Sequence, residues 1–207
     1  MRCKLLSFIF FSALISHAFS QASQNINEDR YFLNDFVCKN WTTSDGLPGM
    51  TITTILQDKK GYIWLSTYEG LVRFDGFDFV TFSRLSDEKY DFSTARSIFQ
   101  DYYDNIWVGH NDEGISCISP DGHVKKFAVE NGLANNKVNA ICEDNDHNIW
   151  IGTASGICYL TPEHKIVTPP APDEFDLDDI NVVNLLCDSS GRIWISTASE
   201  NLPKCST

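Results

Sequence analysis

The sequence predicts an all-β chain: a β-propeller of four-stranded antiparallel blades, about three of them complete, with a partial first and last blade in an incomplete ring. Three observations predict it. One stretch recurs: Asp58–Gly70 reads DKKGYIWLSTYEG, and DYYDNIWVGHNDEG (101–114), DNDHNIWIGTASG (144–156) and DSSGRIWISTASE (from 188) repeat its pattern. The tryptophans at 64, 107, 150 and 194 are spaced by 43, 43 and 44 residues, a period proper to propellers and solenoids. Each complete unit also holds four short strand-forming runs divided by turn signals, which is the content of a blade.

Taken in order, residues 1–20 read as a secretory signal. Arg2 and Lys4 precede the apolar run Leu5–Ile15, which is too short to span a bilayer, and Ala18-Phe19-Ser20 forms a small-x-small cleavage site. The expected location is therefore periplasmic or extracellular, with no membrane insertion after cleavage. Residues 21–35 are a polar segment, and 36–207 hold the partial propeller, in repeats at about 36–82, 94–129, 137–168 and 180–207. Phe36–Thr42 leading into Ser44-Asp45-Gly46-Leu47 matches Val124–Val129 leading into Glu130-Asn131-Gly132-Leu133. The propeller is thus expected to begin with an outer strand that has no blade of its own.

First strands are expected at Ile52–Leu56, Ala95–Phe99, Val138–Cys142 and Val182–Leu186, all rich in β-branched residues. Asp58, Asp101, Asp144 and Asp188 then open Asp-x-x-Gly turns, with Asn105 and Asn148 read at the glycine position because Gly and Asn tolerate positive φ. Their recurrence argues for turn capping rather than calcium binding or catalysis. The Ile-Trp run is the second strand, and its tryptophan is large enough to fill the gap between sheets. Third strands follow at Leu71–Phe74, Ile115–Ile118 and Ile157–Leu160, and fourth strands at Phe77–Phe82, His123–Ala128 and His164–Thr168. Asp75-Gly76 and Asp121-Gly122 signal the hairpins between them. Pro169–Asp179 reads as a long surface connection, after which the fourth unit supplies two strands and has Glu200 where a turn glycine is due. The expectation is a piece of a larger ring.

The chain of 207 residues carries a formal net charge of −12, and −14 without residues 1–20. This excess of acid argues against nucleic acid and anionic membrane surfaces as partners. Cys38, Cys117, Cys142, Cys158, Cys187 and Cys205 show no metal-like spacing with each other or with histidine, so no metal or cofactor is expected. They read as small buried residues, with Cys142–Cys158 or Cys142–Cys187 bridges left open. Asp144-Asn145-Asp146 resembles the start of a calcium loop but lacks its later glycine and glutamate.

The combination Asp45-Gly46-Leu47, Gln57-Asp58, Gly61, Ile63-Trp64, Thr67, Gly70-Leu71 and Arg73-Phe74-Asp75-Gly76, aligned in four copies, resembles the two-component regulator propeller repeat. The resemblance implies an extracytoplasmic sensor region that precedes a membrane helix and an output such as a histidine kinase or diguanylate cyclase, often sensing carbohydrate fragments. None of that output is in these residues.

By up-down strand order, the loops leading into first strands and those between second and third strands share one end of the sheets. Pro48-Gly49-Met50, Tyr68, Glu69, His110, Asn111, Asp112, Glu113, Asn135, Asn136 and Ala154-Ser155 are the binding candidates there, and their mix of polar and aromatic groups suits a carbohydrate or another small ligand. Trp41 stands outside the Trp period and is a candidate contact residue. An open propeller edge is a candidate for self-association. Other readings stay open: a stand-alone secreted interaction domain, or a sialidase- or lyase-like enzyme. The Asp-x-x-Gly-x-x-Trp turn is similar to the Asp-box of sialidase propellers, which need converging arginines and a tyrosine nucleophile. The five arginines after the signal are Arg30, Arg73, Arg84, Arg96 and Arg192, and no catalytic series is visible.

Overall fold

The computed structural model describes residues 39–82, 92–170, 177 and 179–198. The expected signal 1–20, the polar segment 21–35, strand residues 36–38 and the last stretch 199–207 lie outside them. Among the described residues, fourteen strands form three four-stranded sheets and one two-stranded sheet. The first sheet comprises β1 (Ile52–Gln57), β2 (Ile63–Thr67), β3 (Gly70–Phe74) and β4 (Phe79–Phe82). The second has β5 (Ala95–Gln100), β6 (Ile106–His110), β7 (Ile115–Ile118) and β8 (Val124–Phe127). The third has β9 (Val138–Glu143), β10 (Ile149–Thr153), β11 (Ile157–Leu160) and β12 (Ile166–Val167). The fourth has β13 (Val182–Cys187) and β14 (Ile193–Thr197). Each sheet is an antiparallel meander in chain order.

All four first strands carry a bulge near their start, between Ile52 and Thr54, Ala95 and Ser97, Val138 and Ala140, and Val182 and Asn184. The extra residue shifts the two-residue alternation by one. Ile52 and Ile55 therefore point to the same face, as do Ala95 with Ile98, Val138 with Ile141 and Val182 with Leu185. That face meets the preceding sheet. The opposite face carries the tryptophan and meets the following sheet. Trp64 packs with Ile98, Ile106 and Val108 of the second sheet. Trp107 packs with Ile141, Ile149 and Ile151 of the third, and Trp150 with Val182 and Leu185 of the fourth. Burying each ring is worth roughly 2–3 kcal/mol, so the core of this molecule lies between sheets.

The turns correct one detail. In the turns between first and second strands the residues with positive φ are Gly61, Asp104, His147 and Gly191, so Asp104 and His147 stand at the glycine position. Asn105 and Asn148 come one residue later, where their backbone N–H groups donate to the turn aspartate. All three fourth strands are also shorter than expected, β8 by one residue at each end. The Phe77 and Asp78 amides donate to Asp75 Oδ1, and this turn delays β4 to Phe79. Ile166–Val167 is all of β12.

Among the described residues of the expected outer strand, 39–42 form no strand. The turn that follows is nonetheless shared. Thr43–Asp45 and Val129–Asn131 are single 3-10 turns closed by Gly46 and Gly132 in the left-handed region, and Leu47 and Leu133 are buried after them.

Cys117, Cys142, Cys158 and Cys187 are free thiols. Cys142 opposes Trp150 and Cys158 opposes Ile151, so the two lie on opposite faces of one sheet. Burial, with a smaller contribution from Cys187, pushes the Cys142 thiol up to about 12. Cys38 and Cys205 lie outside the described residues.

Candidate functional site

The loops between second and third strands and those leading into first strands do meet at one end of the sheets. The Asn111 amide donates to Thr94 O at 2.9 Å, and the Gly114 amide reaches across to Asn136 O at 2.8 Å. The next sheet repeats this, Ala154 N to Lys137 O at 2.9 Å and Gly156 N to Ile180 O at 2.8 Å. In the first sheet, a Cβ on Gly49 would collide with the Glu69 carboxylate, so this glycine is what lets Glu69 lie over the loop. Backbone bonds thus tie the rim of the second sheet to the third and of the third to the fourth.

On this rim Tyr68, Asn111 and Asp112 are exposed and Glu113 and Asn135 are half-buried. Glu113 accepts from Lys126 Nζ at 3.1 Å, and the Asn135 side chain accepts from the Lys137 amide at 2.9 Å. His110 is different. It is wholly buried, stacks on Phe92, and shares bonds with Ser116 Oγ at 2.7 Å and Thr94 Oγ1 at 3.4 Å. It offers no surface to a ligand and is removed from the candidate set. The sequence held the signal: His110 falls at the register position of Thr67, Thr153 and Thr197, the last residue of each second strand. Trp41 is half-buried, edge-on to Phe74 at 5.2 Å and Phe79 at 6.4 Å, with Lys39 Nζ over its ring. In the equivalent turn Phe127 packs against His164 with Lys125 over its ring.

At the other end of the sheets the turn aspartates are occupied. Asp58 Oδ1 accepts from the Lys60 and Tyr62 amides, and Oδ2 from the Trp64 indole at 2.8 Å. Asp101 takes the Asn105 amide, its side chain and the Trp107 indole. Asp144 takes the Asp146 and Asn148 amides, the Asn148 side chain and the Trp150 indole. Burial alone would raise the Asp144 carboxyl, but the Asn148 and Trp150 bonds outweigh it and hold it below the usual range. The Trp194 indole, then the Arg192 amide, do the same for Asp188.

Sequence reasoning missed a bond between neighbouring turns at this end. At two of the three junctions the amide after the turn aspartate donates to the side chain just before the next one: Lys59 N to Gln100 Oε1 and Tyr102 N to Glu143 Oε2, both at 2.8 Å. Lys59 Nζ adds bonds to the Asp101 and Tyr102 carbonyls and to Asp104 Oδ1, all at 3.0 Å. A shallow cavity of about 410 Å³ opens there, lined by Lys59, Tyr102, Glu143, Asn145 and His147 among others, and none of the rim candidates borders it. Its aromatic centre is already used, since the Tyr102 ring has His147 stacked at 4.4 Å and Lys59 Nζ at 5.7 Å.

Two of the arginines are likewise committed. Arg73 lies over the Tyr62 ring at 4.6 Å, and Arg192 bonds Asp188 and covers Trp194. Arg30 and Arg84 fall outside the described residues. Among the described residues, no group of three His, Cys, Asp or Glu is placed to hold a metal ion, and no helix is long and apolar enough to cross a membrane.

Residues 46–69, 132–155 and 176–199 match the two component regulator propeller family. Two solved extracellular domains from B. thetaiotaomicron share the fold. One, described as part of a one component system, is 23% identical with a TM-score of 0.61, over 73% of this chain and 22% of its own. The other, described as part of a hybrid two component system, is 18% identical with a TM-score of 0.61, over 78% of this chain and 29% of its own. A streptogramin B lyase shares the fold as well, at 14% identity and a TM-score of 0.55, over 72% of this chain and 49% of the lyase. Histidine kinase P4 of Formosa agariphila is 40% identical over 75 residues, which is 36% of this chain and 5% of that kinase. The chain spans under a third of the two extracellular domains it matches.

Proposed function

Because the chain is built from two component regulator propeller repeats, we propose that it is an exported ligand-binding propeller, the extracytoplasmic sensing part of a two-component signalling protein, which binds rather than catalyses. One observation carries the reading. The recurring acids and tryptophans are spent on turns and sheet contacts, whereas the rim carries Tyr68 and Glu69 on the first sheet and Asn111, Asp112, Glu113 and Asn135 on loops of the second and third sheets that backbone bonds tie together. An exposed ring beside carboxylates and amides matches a carbohydrate or a similarly polar small molecule, which needs both stacking and directed hydrogen bonds. No kinase or cyclase chemistry is assigned to these residues.

The test is a screen of oligosaccharide fragments by thermal shift, followed by calorimetric titration of Tyr68→Ala, Asp112→Ala and Asn135→Ala. A true rim ligand raises the melting temperature of the wild-type chain and binds Tyr68→Ala about tenfold or more weakly, as expected for an aromatic anchor. A ligand that binds all three variants as tightly as the wild type places its site elsewhere.

A further inference from the structure

The turn between third and fourth strands leans on the sheet before it, and two such turns have one geometry. Gly122 and His164 hold the same place, with φ of 84° and 63°. The Gly122 amide donates to Ser119 O at 2.8 Å, and the His164 amide to Thr161 O at 2.7 Å. Their side chains are what differ. The His164 imidazole stands edge-on to Trp107 at 5.9 Å and to Phe127 at 5.5 Å, and its Nδ1 accepts from Lys125 Nζ at 3.1 Å. It fills the gap between the second and third sheets.

Between the first and second sheets the aromatic floor is the same. Trp64 and Phe82 stack at 5.5 Å as Trp107 and Phe127 do at 6.2 Å. Gly122 brings no ring to cover them. A cleft of about 150 Å³ results, lined by Tyr62, Trp64, Arg73, Phe82, Ser119 and Gly122 among others. Both sheets that form it are complete. A cavity of this volume takes one benzene-sized ring.

Arg73 gives the cleft its charge. It pairs with Trp64 in the ladder, where the second sheet pairs Cys117 with Trp107. Its guanidinium lies over Tyr62 at 4.6 Å and over Trp64 and Phe82 at 5.9 Å each. The rings take the face of the guanidinium, but its N–H donors lie in the plane and point outward from the edge. Among the described residues no hydrogen bond or ion pair uses those donors. The two carboxylates that border the cleft are already engaged. Asp58 serves the Lys60 and Tyr62 amides and the Trp64 indole, and Asp104 holds Lys59 Nζ at 3.0 Å. Lys60 adds a second cation at the opening.

We propose that this cleft binds a small carboxylate carrying one ring. The ring lies above Gly122, where the next interface has the His164 imidazole, and the carboxylate accepts from the Arg73 N–H edge, the fork geometry that suits it best. The site is at the turn end of the sheets, away from the rim, and stands independently of any rim ligand.

The experiment is calorimetric titration of the full chain with benzoate, with its neutral counterpart benzamide, and with glucuronate. Three variants are compared: Arg73→Gln, Gly122→His and the rim variant Asp112→Ala. Gly122→His puts an imidazole into the cleft, and His164 already adopts the same turn conformation. Folding of each variant is checked by its far-UV spectrum and melting temperature. At least one of the two carboxylates is expected to bind the wild type, and benzoate alone or glucuronate alone tells an aromatic acid from a sugar acid. That binding is expected to weaken about tenfold or more in Arg73→Gln, to disappear in Gly122→His and to persist in Asp112→Ala. The proposal is overturned if neither carboxylate binds, if benzamide binds as tightly as the carboxylates, or if Gly122→His binds like the wild type. Loss of binding in Asp112→Ala overturns it too, because the ligand then sits on the rim.

Discussion

An aspartate six residues before a tryptophan performs two tasks with two oxygens. One oxygen gathers the turn amides, and the other holds the indole N–H that would otherwise enter the sheet interface without a partner. Leaving a buried donor unpaired costs more than its bond contributes. Asp101→Ala is therefore expected to destabilise the chain by about 3 kcal/mol, measured by urea unfolding. Trp107→Phe deletes the indole N–H together with the larger ring, so Asp101→Ala/Trp107→Phe compared with the two single changes isolates the hydrogen bond from the packing. The carboxyl of Asp144 is held below its ordinary value in the folded chain, so its contribution is present above the unfolded pKa and is lost as pH falls through the lower folded one. The stability difference between the wild type and Asp144→Asn is expected to be constant near neutrality and to shrink below about pH 4, read from melting temperatures across an acid series.

At the scale of the sheet, the decisive contact is the close approach over Gly152. A methyl group there meets Val182 rather than solvent. Gly152→Ala should cost about 2 kcal/mol, and Gly152→Ala/Val182→Ala should recover part of it, giving a favourable coupling in a double-mutant cycle. Strand positions were legible in the sequence because turn chemistry and the Trp period both report them, and the two agree. The bulge was not legible, since an extra residue in a strand leaves no mark on composition. The start of β4 was misread because Phe77 looks like a strand residue until the Asp75 carboxylate is seen to claim its amide. The shift of Asn105 and Asn148 by one place followed from treating asparagine as the natural substitute for glycine, when Asp104 and His147 adopt positive φ instead. On the rim, the grouping of loops followed from strand order alone. The burial of His110 needed the register comparison, and the ties from Lys59 to Gln100 and from Tyr102 to Glu143 needed the neighbouring sheet in view.

Across the whole molecule, the tryptophan position reports where the arc has a neighbour. Trp64, Trp107 and Trp150 are buried, whereas Trp194 is half-exposed. Acrylamide quenching should find this asymmetry: Trp194→Phe is expected to lower the quenchable share of emission, and Trp107→Phe to leave it nearly unchanged or raise it. The meander order has a temporal consequence. Among the described residues every strand pairs only with strands adjacent in sequence, and each later sheet packs on the one just before it. Low contact order of this kind favours fast, local assembly. A chain emerging amino end first can therefore complete each sheet as soon as its own residues arrive and lay it on a surface already formed, without waiting for any distant segment.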